Sequence, residues 1–155
     1  MQPVSPWSAV SGMQPNKTPS RVYAYGPGGY LSNITNSYQT VNWSSTLGPN
    51  TLTHMYFPDP ERTAYVYGFM IGMDNDSFNV TETFVRLLRN GSIVDTAVVA
   101  WTVGTRTTNQ FVRFSREFAF SHTDRLDSQI RRVDGTDGND LSIYMAYSYD
   151  LAEEI

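Results

Sequence analysis

Residues 131–150 read RRVDGTDGNDLSIYMAYSYD, an acidic loop turned at Gly135 and Gly138 and then a run in which every second residue is large and apolar. Leu141, Ile143, Met145, Tyr147 and Tyr149 fall on one side of an extended chain, and Ser142, Tyr144, Ala146 and Ser148 on the other. That period of two marks a strand with one face in a core. The reverse face is small and nearly neutral, a composition that suits a contact between subunits. The loop before it is long enough to carry the chain from one sheet to another.

The same alternation spreads outward from this stretch. Val112, Phe114, Phe118 and Phe120 oppose Arg113, Ser115 and Glu117. Short runs rich in Val, Ile, Tyr, Phe and Thr, broken by Gly, Pro, Asn and Asp, predict strands over 38–43, 51–57, 63–73, 78–89, 93–102, 110–120, 125–133 and 141–150. No helix-length period interrupts them. Asn90-Gly91 predicts a tight hairpin between the fourth and fifth runs, because both residues tolerate positive φ. Eight strands, that hairpin and a sheet-crossing loop before the last strand are read as an all-β fold, an eight-stranded antiparallel jelly-roll β-sandwich, although a plain meander would satisfy the hairpin equally.

Residues 64–73, AYVYGFMIGM, are apolar on both sides. Tyr65, Tyr67, Phe69, Ile71 and Met73 oppose Ala64, Val66, Gly68, Met70 and Gly72, so neither side can be left bare. Tyr65, Tyr67, Phe69, Ile71 and Tyr144 are accordingly assigned to core or oligomer packing. Residues 1–29 carry Pro3, Pro6, Pro15, Pro19 and Pro27 and a Gly26-Pro27-Gly28-Gly29 break, which opposes a sustained ladder or helix. They are read as an extended N-terminal arm ahead of a domain over 30–155. Trp7, Val10, Val22, Tyr23 and Tyr25 make that arm too apolar for a solvated linker, and they are its expected partner contacts.

Composition bounds the function. A chain of 155 residues closes one core. The charged fraction is 17% and the net charge −4, which leaves no broad basic surface for a nucleic acid. No stretch approaches a membrane span, and no secretory leader is read at Met1, so synthesis in a cytoplasm is expected. Ten of the 11 cations are Arg, the cation suited to planar pairing and ring stacking. The absence of cysteine removes disulfides and thiolate chemistry.

Candidate chemistry is sparse. Asp134, Asp137 and Asp140, with Asn139, could offer oxygen ligands to calcium, but the spacing lacks a distal bidentate Glu and fits a solvated turn better. Asp74-Asn75-Asp76 reads as a turn. Ser121-His122-Thr123-Asp124 places a hydroxyl, an imidazole and a carboxylate together in sequence, as polar caps between strands do. His54 reads as a packed or interface histidine. Glu61, Glu82, Glu117, Glu153 and Glu154 form no motif for sugar hydrolysis. Trp43, Tyr56, Phe57, Tyr65 and Tyr67 could form a sugar platform, though core and interface roles weigh more for such residues. No enzyme, metal or cofactor is expected.

The run from Asp124 to Val133, the Asp/Gly loop and the strand Leu141–Tyr149, together with Thr51-Leu-Thr-His-Met-Tyr-Phe-Pro58 and the Asn90-Gly91 hairpin, resemble small jelly-roll structural proteins of tailed-bacteriophage virions. The likeness spans residues 38–150 and includes head-decoration (cement) proteins and the jelly-roll ends of fibres. It implies a non-enzymatic virion protein on the capsid surface, made in the host cytoplasm, that binds and stabilises the assembled capsid. Its implied partners are itself, as a homotrimer, and the major capsid protein, with no nucleic acid or membrane. The alternative it implies is a receptor- or glycan-binding domain of a head fibre or tail, with loops 103–109 and 134–140 as contacts.

Overall fold

A computed structural model of the protein describes residues 21–43 and 52–150. Among these there is no helix. Eight strands form: β1 (Arg21–Leu31), β2 (Gln39–Thr40), β3 (Ala64–Met73), β4 (Glu82–Arg89), β5 (Ser92–Ala100), β6 (Gln110–Phe120), β7 (Leu126–Val133) and β8 (Leu141–Asp150). They make two antiparallel four-stranded sheets, ordered β1-β8-β3-β6 and β2-β7-β4-β5, packed as a β-sandwich. Each strand pairs with its counterpart counted from the other end: β1 with β8, β2 with β7, β3 with β6, β4 with β5.

The inward residues of both sheets meet in a single core. Phe69, Ile71, Ile143 and Met145 from one sheet and Val85, Leu87, Leu126 and Ile130 from the other are fully buried. Each such side chain contributes about 1.5–3 kcal/mol by leaving water. Asn90 and Gly91 form the β4–β5 hairpin with φ of 54° and 85°, as their sequence predicts. The 134–140 loop does cross from one sheet to the other.

Three local expectations are corrected. Residues 21–29, read as arm, are sheet: β1 pairs with β8 from Arg21 to Tyr25 and again from Gly28 to Leu31. The ladder survives Pro27 because β1 is an edge strand, where a missing N–H is tolerated, and because the register shifts between Tyr25 and Gly28. Trp7 and Val10 lie outside the described residues. Residues 52–57, the described part of the run 51–57, form no strand; among them only Met55 bridges, to Leu126, while β2 pairs further along the same strand at Gln129 and Ile130. Two short pieces therefore share the outer edge of β7, and neither reaches the length that the alternation suggested.

The third correction concerns β3. Sequence spacing puts Tyr65, Tyr67, Phe69 and Ile71 on one side. In the ladder with β8, Val66 faces Tyr147 and Gly68 faces Ala146, so Tyr67 is the extra residue of a bulge. The bulge reverses the parity. Ala64 and Val66 point inward before it, and Phe69, Ile71 and Met73 after it, while Tyr65 and Tyr67 take the outer face.

Candidate interaction surface

The outer face of β1-β8-β3-β6 is built by alternation. In Val22-Tyr-Ala-Tyr25 the two tyrosines point outward, opposite Ser148 and Ala146 of β8, which are fully buried. The small residues of β8 thus make a floor that the surrounding rings and Arg21 cover. Along β3 the floor continues as Gly68, which pairs with Ala146 on one side and Arg113 on the other. An added Cβ at Gly68 would lie 2.4 Å from the Val112 carbonyl oxygen, so the position is fixed by close strand approach.

Rings surround that floor. Tyr23 is 64% exposed, Tyr25 60%, Tyr144 46% and Phe111 36%. Tyr67 lies among them, nearly covered. Its ring meets Tyr23 edge-on at 6.1 Å and Phe111 at 5.9 Å, and the Arg113 guanidinium stands 5.3 Å from its centroid. Burial pushes the Tyr67 phenol above its ordinary pKa, and Tyr25 adds to the effect. Val22 turns to the other side of β1 and is half-buried.

Polar groups hold both ends of the face. At one end Arg21 lies 4.4 Å over the Tyr65 ring, pairs with Glu117 at 2.8 Å and Asp150 at 3.2 Å, and donates to Ser148 Oγ at 3.1 Å. At the other, the Tyr30 hydroxyl donates to Asp140 at 2.6 Å, and that bond raises the phenol from 10.0 to about 12. The face offers ring area and phenolic hydroxyls on a flat support. It suits contact, and no pair of groups on it is poised as acid and base.

The other candidates are dispersed. Asp134 accepts from Thr81 Oγ1 at 2.9 Å, Asp137 pairs with Arg132, and Asp140 is held by Tyr30 and by the Asn33 N–H at 2.8 Å. The three carboxylates thus serve three different partners, and among the described residues no group of three or more such side chains converges as a metal site. Asp74 accepts from the Asp140 N–H at 3.0 Å, and Asp76 from the Gly104 N–H and from Arg106 at 2.9 Å. Those two bonds hold the Asp76 carboxyl below its ordinary pKa. Asp124 accepts from Ser121 N–H at 2.9 Å and Asn90 at 2.8 Å, which lowers its pKa as well; His122 is exposed beside this turn.

His54 is exposed, not packed inside, and meets Tyr56 edge-on at 5.6 Å. The five aromatics weighed for a sugar platform do not assemble into one, and their places fit the core and surface roles that weighed more. Trp43 and Phe57 are buried in the core, Tyr56 stands exposed on the segment after residue 51, and Tyr65 and Tyr67 belong to the outer sheet face. Glu117 is the one candidate acid drawn to the aromatic face, as a partner of Arg21; Glu61 is exposed and Glu82 half-buried elsewhere, and Glu153 and Glu154 lie outside the described residues. A cleft of about 200 Å³ lies between Phe57, Arg62, Tyr147 and Tyr149, where Arg62 pairs with Asp59 at 3.3 Å and covers the Tyr149 ring at 5.2 Å.

Both loops proposed as fibre contacts are pinned from within. Buried Arg106 donates to the Val80 carbonyl, and its own carbonyl accepts from Met73 N–H at 2.8 Å. Buried Arg132 donates to the carbonyls of Ile34 at 3.2 Å, Asp134 at 2.8 Å and Gly135 at 3.1 Å. Neither role was visible in the sequence beyond the preference for Arg over Lys. That preference has a physical use here: Arg86 stands 3.5 Å from the Tyr38 centroid and Arg131 4.3 Å from that of Phe84. No protein-family model matches the chain, and no curated protein matches it.

Proposed function

We propose that the chain is a jelly-roll structural protein of a virion, a non-enzymatic decoration or cement protein that forms a homotrimer and binds the assembled major capsid protein. The strand order supports the jelly roll: nested pairing of first with last, through to the central hairpin, is what two interlocked Greek keys produce. The virion setting rests on the resemblance of residues 38–150 to jelly-roll virion proteins of tailed bacteriophages, decoration proteins among them. The observation that carries a contact function is the exposed aromatic face of Tyr23, Tyr25, Phe111 and Tyr144. Such a surface is too flat to enclose a small substrate and too apolar to stand unpartnered.

A cement protein acts by linkage. Binding assembled shell in preference to free subunits stabilises the shell by RT ln(1 + [L]/Kd) per site. Light scattering with mass determination should give a trimer, and the protein should sediment with capsids and raise their melting temperature. Tyr23→Ser with Tyr144→Ser should weaken both properties. A monomer that ignores capsids at saturating concentration refutes the reading.

A second reading, a glycan- or receptor-binding fibre domain, is favoured by the exposed Tyr25 and Tyr144 rings on the same face as exposed Ser142, a combination of ring and hydroxyl that suits a sugar. Saturable quenching of tyrosine emission by a host polysaccharide, lost in Tyr25→Ser, would favour it over the first.

A further inference from the structure

We propose that the cleft at the end of the sandwich where β3 begins and β8 ends is a binding site for a small carboxylic acid with a compact apolar body, in the simplest case a single aromatic ring. The cleft lies among Phe57, Arg62, Ala64, Tyr147 and Tyr149 and shares no residue with the aromatic outer face, so the inference does not rest on the capsid reading. Tyr147 and Tyr149 belong to the inward side of β8, the side of Ile143 and Met145. Ile143 and Met145 are fully buried, whereas the two tyrosines are only half-buried, so the core opens here. The walls are rings. Tyr147 stands 5.1 Å from Phe57 and 6.3 Å from Tyr149, stacked on the latter at 27°. At about 200 Å³ the space exceeds the ~150 Å³ of an apolar cavity that holds benzene, which leaves room for one ring and a short acidic arm.

The polar groups around this space call for an acceptor. The Arg62 guanidinium stands 5.2 Å over the Tyr149 ring and uses Nε on Asp59 at 3.3 Å. Its two Nη groups have no hydrogen bond among the described residues, nor do the Tyr147 and Tyr149 hydroxyls. Asp59 is already engaged: one oxygen faces Arg62, and the other accepts from the Glu61 N–H at 2.9 Å. Burial raises the Tyr147 phenol above its ordinary pKa, and Tyr149 adds to the effect, so the hydroxyl keeps its proton and donates. Unused donors around an apolar slot select an acid that lays its ring on the tyrosines and its carboxylate on the Nη pair. Two sources offer that chemistry. One is a free small acid; the other is Glu153 or Glu154, three and four residues past Asp150 and so within ~10–13 Å of extended chain.

Titrating the full chain with phenylacetate while following NMR shifts should give a saturable response confined to the cleft residues, in the millimolar range expected of a ligand of about ten heavy atoms. Phenylacetamide, with the same shape and no charge, should bind at least ~10-fold more weakly. Arg62→Gln should cost a similar factor. Tyr147→Phe, which removes one oxygen and keeps the ring, should weaken binding several-fold and guards against a folding defect in the first variant. Glu153→Gln with Glu154→Gln separates the sources: tighter binding of phenylacetate marks those residues as the resident acid, and an unchanged constant marks a free one. Shifts that stay linear to the solubility limit of phenylacetate in both the parent and that double variant overturn the inference. Equal binding of acid and amide overturns it, as does binding that survives both Arg62→Gln and Tyr147→Phe. Oligomer mass and capsid sedimentation should be the same in all these variants, so failure here is distinct from failure of the capsid reading.

Discussion

Gly68→Ala tests the close approach on which the aromatic face is built. The new methyl would lie 2.4 Å from the Val112 carbonyl oxygen and 2.7 Å from Phe111 Cζ, where ordinary contacts begin at 3.4 Å. The ring can swing; the carbonyl cannot. β3 and β6 must therefore part by about 1 Å, which strains the ladder steps Gly68–Arg113 and Phe69–Val112. Two weakened backbone bonds at ~0.5–1.5 kcal/mol each, or the usual overpacking cost, give a loss of about 1–3 kcal/mol. Alanine returns about 0.5–1 kcal/mol by restricting the unfolded chain. The net loss is about 0–2.5 kcal/mol and centres near ~1 kcal/mol, a fall in melting temperature of up to roughly 10 °C for a domain of this size. The internal control is Gly28→Ala, whose methyl meets only the Tyr144 ring, Cε1 at 3.0 Å, a half-exposed side chain free to move. Differential scanning calorimetry should show Gly68→Ala destabilised and Gly28→Ala unchanged or slightly stabilised. Equal effects at the two glycines, or a Gly68→Ala protein more stable than Gly28→Ala, would refute the packing argument.

Thr83→Val should cost about 1–3 kcal/mol in chemical denaturation, because the Trp101 indole N–H, 2.7 Å from Thr83 Oγ1 and buried with it, is left without an acceptor; Thr83→Ser should recover most of the loss. Ultraviolet titration should find one tyrosine, Tyr30, ionising near 12, and Asp140→Asn should return it toward 10. The phenol keeps its proton longer in the folded state, so this contribution to stability is complete below pH 10 and is lost as pH rises from there toward 12. Asp76 and Asp124 act in the opposite sense: their folded pKa values lie below 3.8, so their contribution is present above that pH and is lost as pH falls through the lowered values. Asp124→Asn should flatten the acid limb of melting temperature against pH, and an unaltered limb would reject this assignment.

Strands with strict alternation were legible in the sequence because their signal is local. Val112, Phe114, Phe118 and Phe120 are all buried on β6, and Leu141, Ile143 and Met145 on β8. The Asn90-Gly91 turn was equally local. What escaped depends on neighbours. Five prolines in 1–29 outweighed Val22-Tyr-Ala-Tyr25, although an edge strand tolerates a proline that a central one would not. The bulge at Tyr67 is set by two flanking strands and cannot be read from β3 alone. Since a one-residue insertion exchanges the faces, the aromatic surface was legible as an inventory of residues and not as a place. The arginines buried at 106 and 132 escaped for a related reason: their acceptors are carbonyls, which carry no side-chain signal.

The treatment of the sheet edges explains why association should use a face. An open edge offers unpaired N–H and C=O groups to any passing strand. Here the edges at β1, β5 and β6 are spoiled. On β1, Pro27 removes a donor, the register shifts, and Tyr30 N and O are already taken by Asn42 at 2.7 and 3.1 Å. On β6, the Ser115 N–H donates to Asp95 of β5 at 2.8 Å, which ties the two neighbouring edges together, and Arg116 and Glu117 add charge. The outer edge of β7 is taken in turn by β2 and Met55. With strand addition opposed on these sides, the large apolar area still open is the tyrosine face. A partner that buries it must arrive across the sheet, ring against side chain, without adding a strand to either ladder.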